Sequence, residues 1–341
     1  MNPINDIIKK IFGRISSLTG GNVGAAVGID IGSSAIKVVE IKIKEGKIVL
    51  ETYGSIALGP YDSLDVGRVT NLPVEKIAEA LQEVLKQSGV TDTTGAFSIP
   101  VQSSLIFTIE LPKNVKKSEI STIIPIEARK YIPLPITEVS LDYFILPERE
   151  SSFEEMNAAS SNSGTPQKTA GKTSVLIVAT QNDAISKYRS IVSLSSLTAA
   201  FFEIEIFSSI RANFERELSP VLLIDFGASR TKLSIVEFGM VKNYHTIDRG
   251  GADITDSISK SLSLSFAEAE KMKKEFGLFG NLAEKTLADI IKIHIDYILS
   301  ETNNVLLEYE KKYSRTISKV IFTGGGSLLK GLAEVAVNNF R

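Results

Sequence analysis

The sequence predicts an α/β protein made of two related halves with a ligand between them. The first observation is a repeat. Val27 to Ile41 reads VGIDIGSSAIKVVEI and Val221 to Gly239 reads VLLIDFGASRTKLSIVEFG, so that Asp30 aligns with Asp225, Gly32 with Gly227, Ser34 with Ser229 and Lys37 with Lys232. The second is the form of each copy: an apolar run, a Gly/Ser turn and a second β-branched run, the pattern of a strand–turn–strand hairpin. The third is length. A chain of 341 residues suits about two domains with ample core.

Composition removes several classes of function. Lys plus Arg is 38 and Asp plus Glu is 40, a net charge of -2 that leaves no electrostatic footprint for nucleic acid. With no Cys, thiolate metal sites, disulfides and a Cys nucleophile are excluded. The two His, His245 and His294, stand far apart, against a His-based metal site or triad. No apolar run reaches the ~18 residues of a membrane span. The N-terminus has no continuous apolar segment of the signal-peptide kind. It is amphipathic instead: Ile4, Ile7, Ile8, Ile11, Phe12, Ile15 and Leu18 follow one helix face, with Lys9, Lys10 and Arg14 off it. Residues 1–25 therefore read as a helix and a glycine linker, suited to an anionic membrane surface, a partner, or the protein's own surface.

The first half opens at about residue 26 with the hairpin, Val27 to Ile31 and Ile36 to Ile43, and a turn at Lys44-Glu45-Gly46-Lys47 leads into Ile48 to Tyr53. A helix is expected over Val74 to Gln87, with Pro73 at its first turn and Gly89 at its end. Ala96 to Pro100 and Leu105 to Leu111 read as strands. Ser118 to Tyr131 reads as a helix with Ser118 as N-cap and Pro125 as an irregularity, and Leu141 to Leu146 as a strand. Residues 150–172, poor in large apolar side chains and rich in Ser, Ala, Asn and Gly, read as a disordered loop. Gly171-Lys172-Thr173 in that loop is not a P-loop, because position 166 holds Pro where the pattern needs Gly. A strand at Val175 to Ala179, a helix at Asp183 to Leu194, a strand at Ala199 to Ile204 and a helix up to about Arg216 lead to the second hairpin. Helices over Asp253 to Leu262, Phe266 to Phe276 and Ala283 to Tyr313 follow. Val320 to Thr323 is a strand, and Ser327 onward a helix after the turn Gly324-Gly325-Gly326.

These residue types in this pattern point to phosphate chemistry. Gly32 and Gly227 let backbone amides approach phosphate oxygens, and Ser33, Ser34 and Ser229 add hydroxyl donors, with Ala228 in the second turn. Asp30 and Asp225 are placed to hold Mg2+ largely through its waters, because Mg2+ dehydrates reluctantly. Lys37 and Lys232 are candidates to neutralise phosphate charge. The run Thr323-Gly324-Gly325-Gly326-Ser327 suits an adenosine or phosphate group against bare backbone, and Gly250-Gly251 ahead of a helix is a weaker signal of that kind; each turn alone is also an ordinary way from strand to helix. Glu270 and Lys273, spaced i, i+3, share a helix face and suit either a ribose or a solvated ion pair.

Taken in order, these segments resemble the actin-like ATPase superfamily. VGIDIGSSAIK is similar to its first phosphate motif, LLIDFGASRTK to its second and VIFTGGGSLLKGL to its adenosine motif. AEAEKMKKEFG resembles the helix whose Glu and Lys bind ribose, which would give Glu270 and Lys273 that role. FFEIEIFSSIRANF lies where the first interdomain connection falls, making Glu205 the first candidate to orient the attacking water and Glu203 the second. Within the superfamily, IEARKYIPLPITEVSLDYFIL resembles the PilM family of type IV pilus assembly proteins. The resemblance implies a duplicated actin-like ATPase (ribonuclease H-like) fold with an inserted small subdomain in the first half. Its parts would be the start of the first half at 26–100, the insert at 101–195, the return and interdomain connection at 196–219 and the second half at 220–341. That second half is expected to be shortened, since relatives continue past the adenosine motif; the loop at 150–172 is also longer and more Ser-rich than the family needs.

The family resemblance also implies a function: an ATP- and Mg2+-binding scaffold at the cytoplasmic face of the inner membrane, with at most slow ATPase activity. It would bind the N-terminal cytoplasmic peptide of a PilN-like membrane protein, together with other inner-membrane components of a pilus, competence or secretion machine such as that of twitching motility. Tyr131, Ile132, Leu134, Phe144 and Ile145 of the insert are pointers to the peptide groove, with most of them expected in the insert's own core. The alternatives are an FtsA-like cell-division protein and a sugar or acetate kinase of the same fold.

Overall fold

The computed structural model describes residues 25–45, 47–112, 115–146, 172–214, 217, 219–279 and 285–340. The amphipathic stretch at 4–18, the turn residue Gly46 and the low-complexity loop up to residue 171 lie outside the described residues. The chain forms two compact units, one of residues up to Ser98 together with Ser190 onward, the other Ile99–Arg189.

The first unit holds two sheets of one topology. In the first, β1 (Ala25–Ile31), β2 (Ala35–Lys44) and β3 (Lys47–Ala57) form an antiparallel meander, and β4 (Thr94–Ile99) runs parallel to β1, giving the order β3-β2-β1-β4-β8 with β8 at Thr198–Ile204. In the second, β9 (Val221–Phe226), β10 (Thr231–Glu237) and β11 (Met240–Ile247) form the meander and β12 (Lys319–Thr323) runs parallel to β9, giving β11-β10-β9-β12. The repeat in sequence is thus a repeat of strand order and direction. A parallel pair needs a long crossover. In the first half it contains α1 (Val74–Ser88), which buries Ile77, Ala78, Ala80, Leu81 and Val84 and ends at Gly89 in the left-handed region, φ 68°. Behind that helix the buried Glu40 carboxylate accepts the Thr91 N–H at 2.9 Å and its hydroxyl at 2.7 Å, which satisfies a charge taken out of water.

In the second half the crossover is α5 (Gly251–Leu262), α6 (Phe266–Phe276) and α7 (Lys285–Tyr313). Helix α7 is long because a stripe at helical spacing, Leu287, Ile291, Ile295, Ile298, Leu299, Thr302, Val305 and Tyr309, is buried along it. That stripe meets Leu222, Ile224, Phe226, Leu233 and Ile235 of the sheet in one core.

The second unit is a three-stranded antiparallel sheet, β5 (Ser104–Pro112), β7 (Lys172–Gln181) and β6 (Val139–Ile145) in the order β5-β7-β6, with α2 (Lys117–Ala128). Its core is Ile109, Leu111, Ile120, Ile124, Ile132, Val175 and Ile177 with their neighbours. Helix α3 (Asn182–Leu194) leads out to β8, and α4 (Glu205–Asn213) follows β8.

Several expectations are corrected here. Helix α2 is capped at Lys116, whose N–H donates to the Glu119 carboxylate at 3.2 Å, and Ser118 lies inside the helix. It ends at Ala128, not Tyr131: the Ala128 carbonyl accepts both Tyr131 and Ile132 amides at 3.0 and 3.2 Å, and Pro133 disfavours helical backbone at Ile132. Helix α4 ends at Asn213, with Phe214 already extended. The glycine turn after β12 does not open an α-helix at Ser327. It forms a 3-10 turn, Gly325–Leu328; Leu329 is extended and Gly331 has φ 84°, so α8 starts only at Leu332 and runs to Asn339.

Candidate functional site

The two hairpins set their acidic residues in the same register. Asp30 pairs with Lys37 across β1–β2, and Asp225 with Lys232 across β9–β10. Each tip is closed by the same bond: Gly32 N–H donates to Ala35 O at 3.0 Å, and Gly227 N–H to Arg230 O at 3.0 Å. The parallel neighbour places a hydroxyl residue beside each Asp, Ser98 in β4 and Thr323 in β12.

The side chains then diverge. Asp30 is part-exposed; it accepts Lys37 Nζ at 3.0 Å and Ser98 Oγ at 2.9 Å. It lines a cavity of about 310 Å3 with Lys37, Ser98, Glu203 and Arg211. Asp225 is more enclosed. Lys232 Nζ lies 3.4 Å from Asp225 Oδ2 and 2.7 Å from Glu205 Oε2, so Glu205, at the start of α4, is joined through Lys232 to the second hairpin. Burial alone would lower the Lys232 pKa, but the Glu205 and Asp225 carboxylates outweigh it and raise it, so the ammonium form persists. Glu203 is gripped by Arg211 instead, with Nη1 on Oε1 at 2.7 Å and a second contact from Nη2 to Oε2.

The second turn is braced from outside. Gly251 N–H donates to Gly227 O and Ala252 N–H to Ala228 O, both at 2.9 Å, and Gly250 N–H donates to Asp253 Oδ2 at 2.8 Å. A Cβ at Gly250 would collide with the Ala228 carbonyl. Gly324, at φ 80°, lies so close to the second hairpin that a Cβ there would stand 2.5 Å from Asp225 Oδ1, which is why the residue after β12 has to be glycine. Ser327 Oγ closes the turn on Gly324 O at 2.7 Å; Gly325 is exposed, Gly326 sits against the Phe226 ring, and Ser229 is half-buried in the second tip. Ser33 and Ser34 use their carbonyls to hold the segment after β3, through Thr70 N–H and Leu58 N–H, each at 2.9 Å.

Glu270 and Lys273 stand on α6 as a close pair, Nζ to Oε2 2.6 Å, and the Glu270 carboxylate also takes Lys274 at 3.0 Å and the Thr255 hydroxyl at 2.5 Å. Lys273 donates to Gly251 O at 2.8 Å and Thr255 Oγ1 at 2.7 Å, which ties α6 to the start of α5. Burial works against the Glu270 carboxylate, yet Lys273, Thr255 and Lys274 outweigh it and hold its pKa below the ordinary carboxylate value. Burial pushes Lys273 down from its ordinary value, with Glu270 opposing. This is a part-buried network, not the solvated ion pair that the i, i+3 spacing also allowed.

Sequence reasoning missed Ser98, Thr255 and Arg211. A signal existed for the first: Phe97-Ser98 lies near the end of β4 as Phe322-Thr323 lies at the end of β12, one hydroxyl after each buried or half-buried Phe. Of the groove pointers in the second unit, Ile132 is in the core and Ile145 packs against it, whereas Tyr131, Leu134 and Phe144 are exposed, so most of the five are not core. Tyr131 stacks on Phe107 at 5.0 Å between centroids.

Two sheets of one topology, each headed by an Asp-x-Gly hairpin of one register, define an actin-like ATPase fold. Among solved structures, the PilM-PilN type IV pilus biogenesis complex contains a chain similar to this one, with TM-score 0.73, 22% identity and coverage of 92% of this chain and 85% of that one. The ethanolamine utilization protein EutJ of Carboxydothermus hydrogenoformans is similar in fold, with TM-score 0.53, 14% identity and coverage of 93% and 82%. The cell division protein FtsA of Enterococcus faecalis is 21% identical over 352 residues, covering 93% of this chain and 77% of that protein. The chain belongs to the family of the type IV pilus assembly protein PilM, whose sequence profile matches residues 28–341.

Proposed function

We propose that this chain binds one ATP with Mg2+ in the cleft framed by its two Asp-x-Gly hairpins and acts as a nucleotide-dependent adaptor of a type IV pilus machine. The observation that carries the reading is the matched pair Asp30–Lys37 and Asp225–Lys232, two carboxylate–ammonium pairs of one register heading two sheets of one unit. The turns supply backbone amides and hydroxyls for phosphate oxygens. Glu270 and Lys273 are the candidates for the ribose, and Gly324 to Ser327 for the adenosine side.

The residues fit a hydrated Mg2+. Asp30 and Asp225 are single carboxylates, and among the described residues no group of three or more His, Asp or Glu stands ready to cage an ion. An ion that keeps several waters and takes phosphate oxygens needs only one or two protein carboxylates. When bound, it would neutralise phosphate charge; Lys37 and Lys232 would add to that from the protein side. Glu205 is the candidate for orienting water, and its carboxylate is already engaged by Lys232 at 2.7 Å, which fits slow turnover at most.

The partner side of the proposal rests on family membership: the chain would engage the N-terminal cytoplasmic segment of a PilN-like inner-membrane protein, at the cytoplasmic face of that membrane, with residues 4–18 as a further membrane contact. Among the described residues no helix is long and apolar enough to cross a membrane. ATP can alter the partner contact only if it binds one arrangement of the halves better than the other. The test is binding of an immobilised PilN-like N-terminal peptide with and without ATP and Mg2+. The peptide is expected to bind, with an affinity that changes on adding nucleotide in the wild type and does not change in Asp225→Ala. A protein that ignores the peptide under both conditions contradicts the adaptor reading.

A further inference from the structure

Between β3 and α1 the chain runs through a segment, residues 58–73, that leaves the first half, reaches the second at Arg68 and returns to the first at Thr70. Its first-half anchor is the phosphate hairpin itself. Leu58 N–H donates to Ser34 O and Thr70 N–H to Ser33 O, each at 2.9 Å, and Thr70 Oγ1 donates to Ser33 O at 3.3 Å. Its second-half contact is Arg68. Nη1 donates to Asp256 Oδ1 on α5 at 2.7 Å, and the guanidinium lies 4.0 Å from the centroid of the buried Phe266 ring, the first residue of α6. Beside it, a Cβ at Gly67 would stand 3.5 Å from the Glu270 carboxyl carbon. One short segment therefore joins the turn that holds Ser33 and Ser34 to the helix that carries Glu270 and Lys273.

We propose that Arg68 is the clasp of the nucleotide cleft: its grip on Asp256 and Phe266 holds the first phosphate turn and the Glu270–Lys273 wall together, and its release is the step that lets nucleotide leave. The inference rests on the nucleotide reading given above and adds the residue that sets exchange. Arg68 is a positioning residue; the groups proposed to touch nucleotide are its neighbours on either side. The chemistry suits a clasp that opens. Both partners of the ion pair are about one-third exposed, so water competes for the charges, and the pair is weak enough to break. The Phe266 face adds a cation–π contact that favours Arg over Lys.

The experiment is release of radiolabelled ATP, bound with Mg2+, after a chase of unlabelled ATP. Arg68→Ala, which removes both the part-exposed ion pair and the cation–π contact, is expected to release ATP about tenfold faster than the wild type, and Asp256→Ala, which removes the ion pair alone, faster by a smaller factor of about threefold. The doubly substituted protein should be no faster than Arg68→Ala alone, since Arg68→Ala already removes the contact that Asp256→Ala breaks. Arg68→Lys, which keeps the charge and loses the planar stack, should fall between. Unfolding midpoints in urea, measured alongside, separate a clasp from a merely structural role, which would move the midpoint and leave release unchanged. Should Arg68→Ala fail to fold, Asp256→Ala and Arg68→Lys still decide. ATP retention by the wild type with unchanged release in the folded variants overturns the clasp alone. No retention by the wild type overturns the nucleotide reading, and the clasp with it.

Discussion

Lys232 and Lys37 occupy one register position in two copies of one hairpin, yet their surroundings differ. Lys37 faces solvent and pairs with Asp30; Lys232 is enclosed and bridges Asp225 to Glu205. The alignment of the repeats could place each Lys beside its Asp, because that contact is made within one hairpin. Glu205 reaches Lys232 from another element, 27 residues away in sequence, and no local pattern encodes that distance. Glu270 shows the same limit: its i, i+3 partner was legible, but the Thr255 hydroxyl and the burial that make it a network came from packing against α5. Because the folded-state pKa of Glu270 lies below its ordinary 4.5, its charge favours the folded protein above that value, and the contribution is lost as pH falls through the depressed one. Urea midpoints between about pH 5 and pH 3 should therefore drop more steeply for the wild type than for Glu270→Gln. Parallel curves would show that the Glu270 pairs add nothing to folding.

At the scale of elements, strands and helices with strong periodicity were legible, and their ends were less so. The stripe along α7 is an example of what a pattern can specify. It repeats every three or four residues from Leu287 to Tyr309 and packs on β9 and β10 in the structure. Replacing Ile295, nearly fully buried in that stripe, by Ala removes a side chain that its neighbours cannot replace. A loss of about 2–4 kcal/mol in unfolding free energy by urea titration is expected, at unchanged m-value. A loss below about 0.5 kcal/mol would mean that α7 is not held by this face. The corrected ends have local causes that a coarse reading passes over. Pro133 shortens α2, and two glycines at positive φ, Gly324 beside Asp225 and Phe226 and Gly331 beside Leu278, hold off α8 until Leu332. Gly324 and Gly326 bring the turn against Asp225 and Phe226 of the second hairpin, so the departure from simple helix geometry lies at the proposed site.

Across the whole molecule, duplication explains most of the site. The first unit repeats a meander plus a parallel strand, and each copy brings one Asp, one Lys and one neighbouring hydroxyl residue. Such an arrangement is common to the actin-like class; the profile match over residues 28–341 is what assigns the chain to the PilM family. What remained illegible is the link from half to half. Arg68 and Asp256 are 188 positions apart, and neither belongs to a motif. The central claim is that both hairpins hold one nucleotide between them. Isothermal titration with ATP and Mg2+ tests it most directly, on the wild type and on Asp30→Ala and Asp225→Ala separately. One nucleotide per chain is expected, with an affinity weakened about tenfold or more by either substitution, roughly 1.4 kcal/mol each. One substitution without effect, or two nucleotides bound per chain, would contradict it.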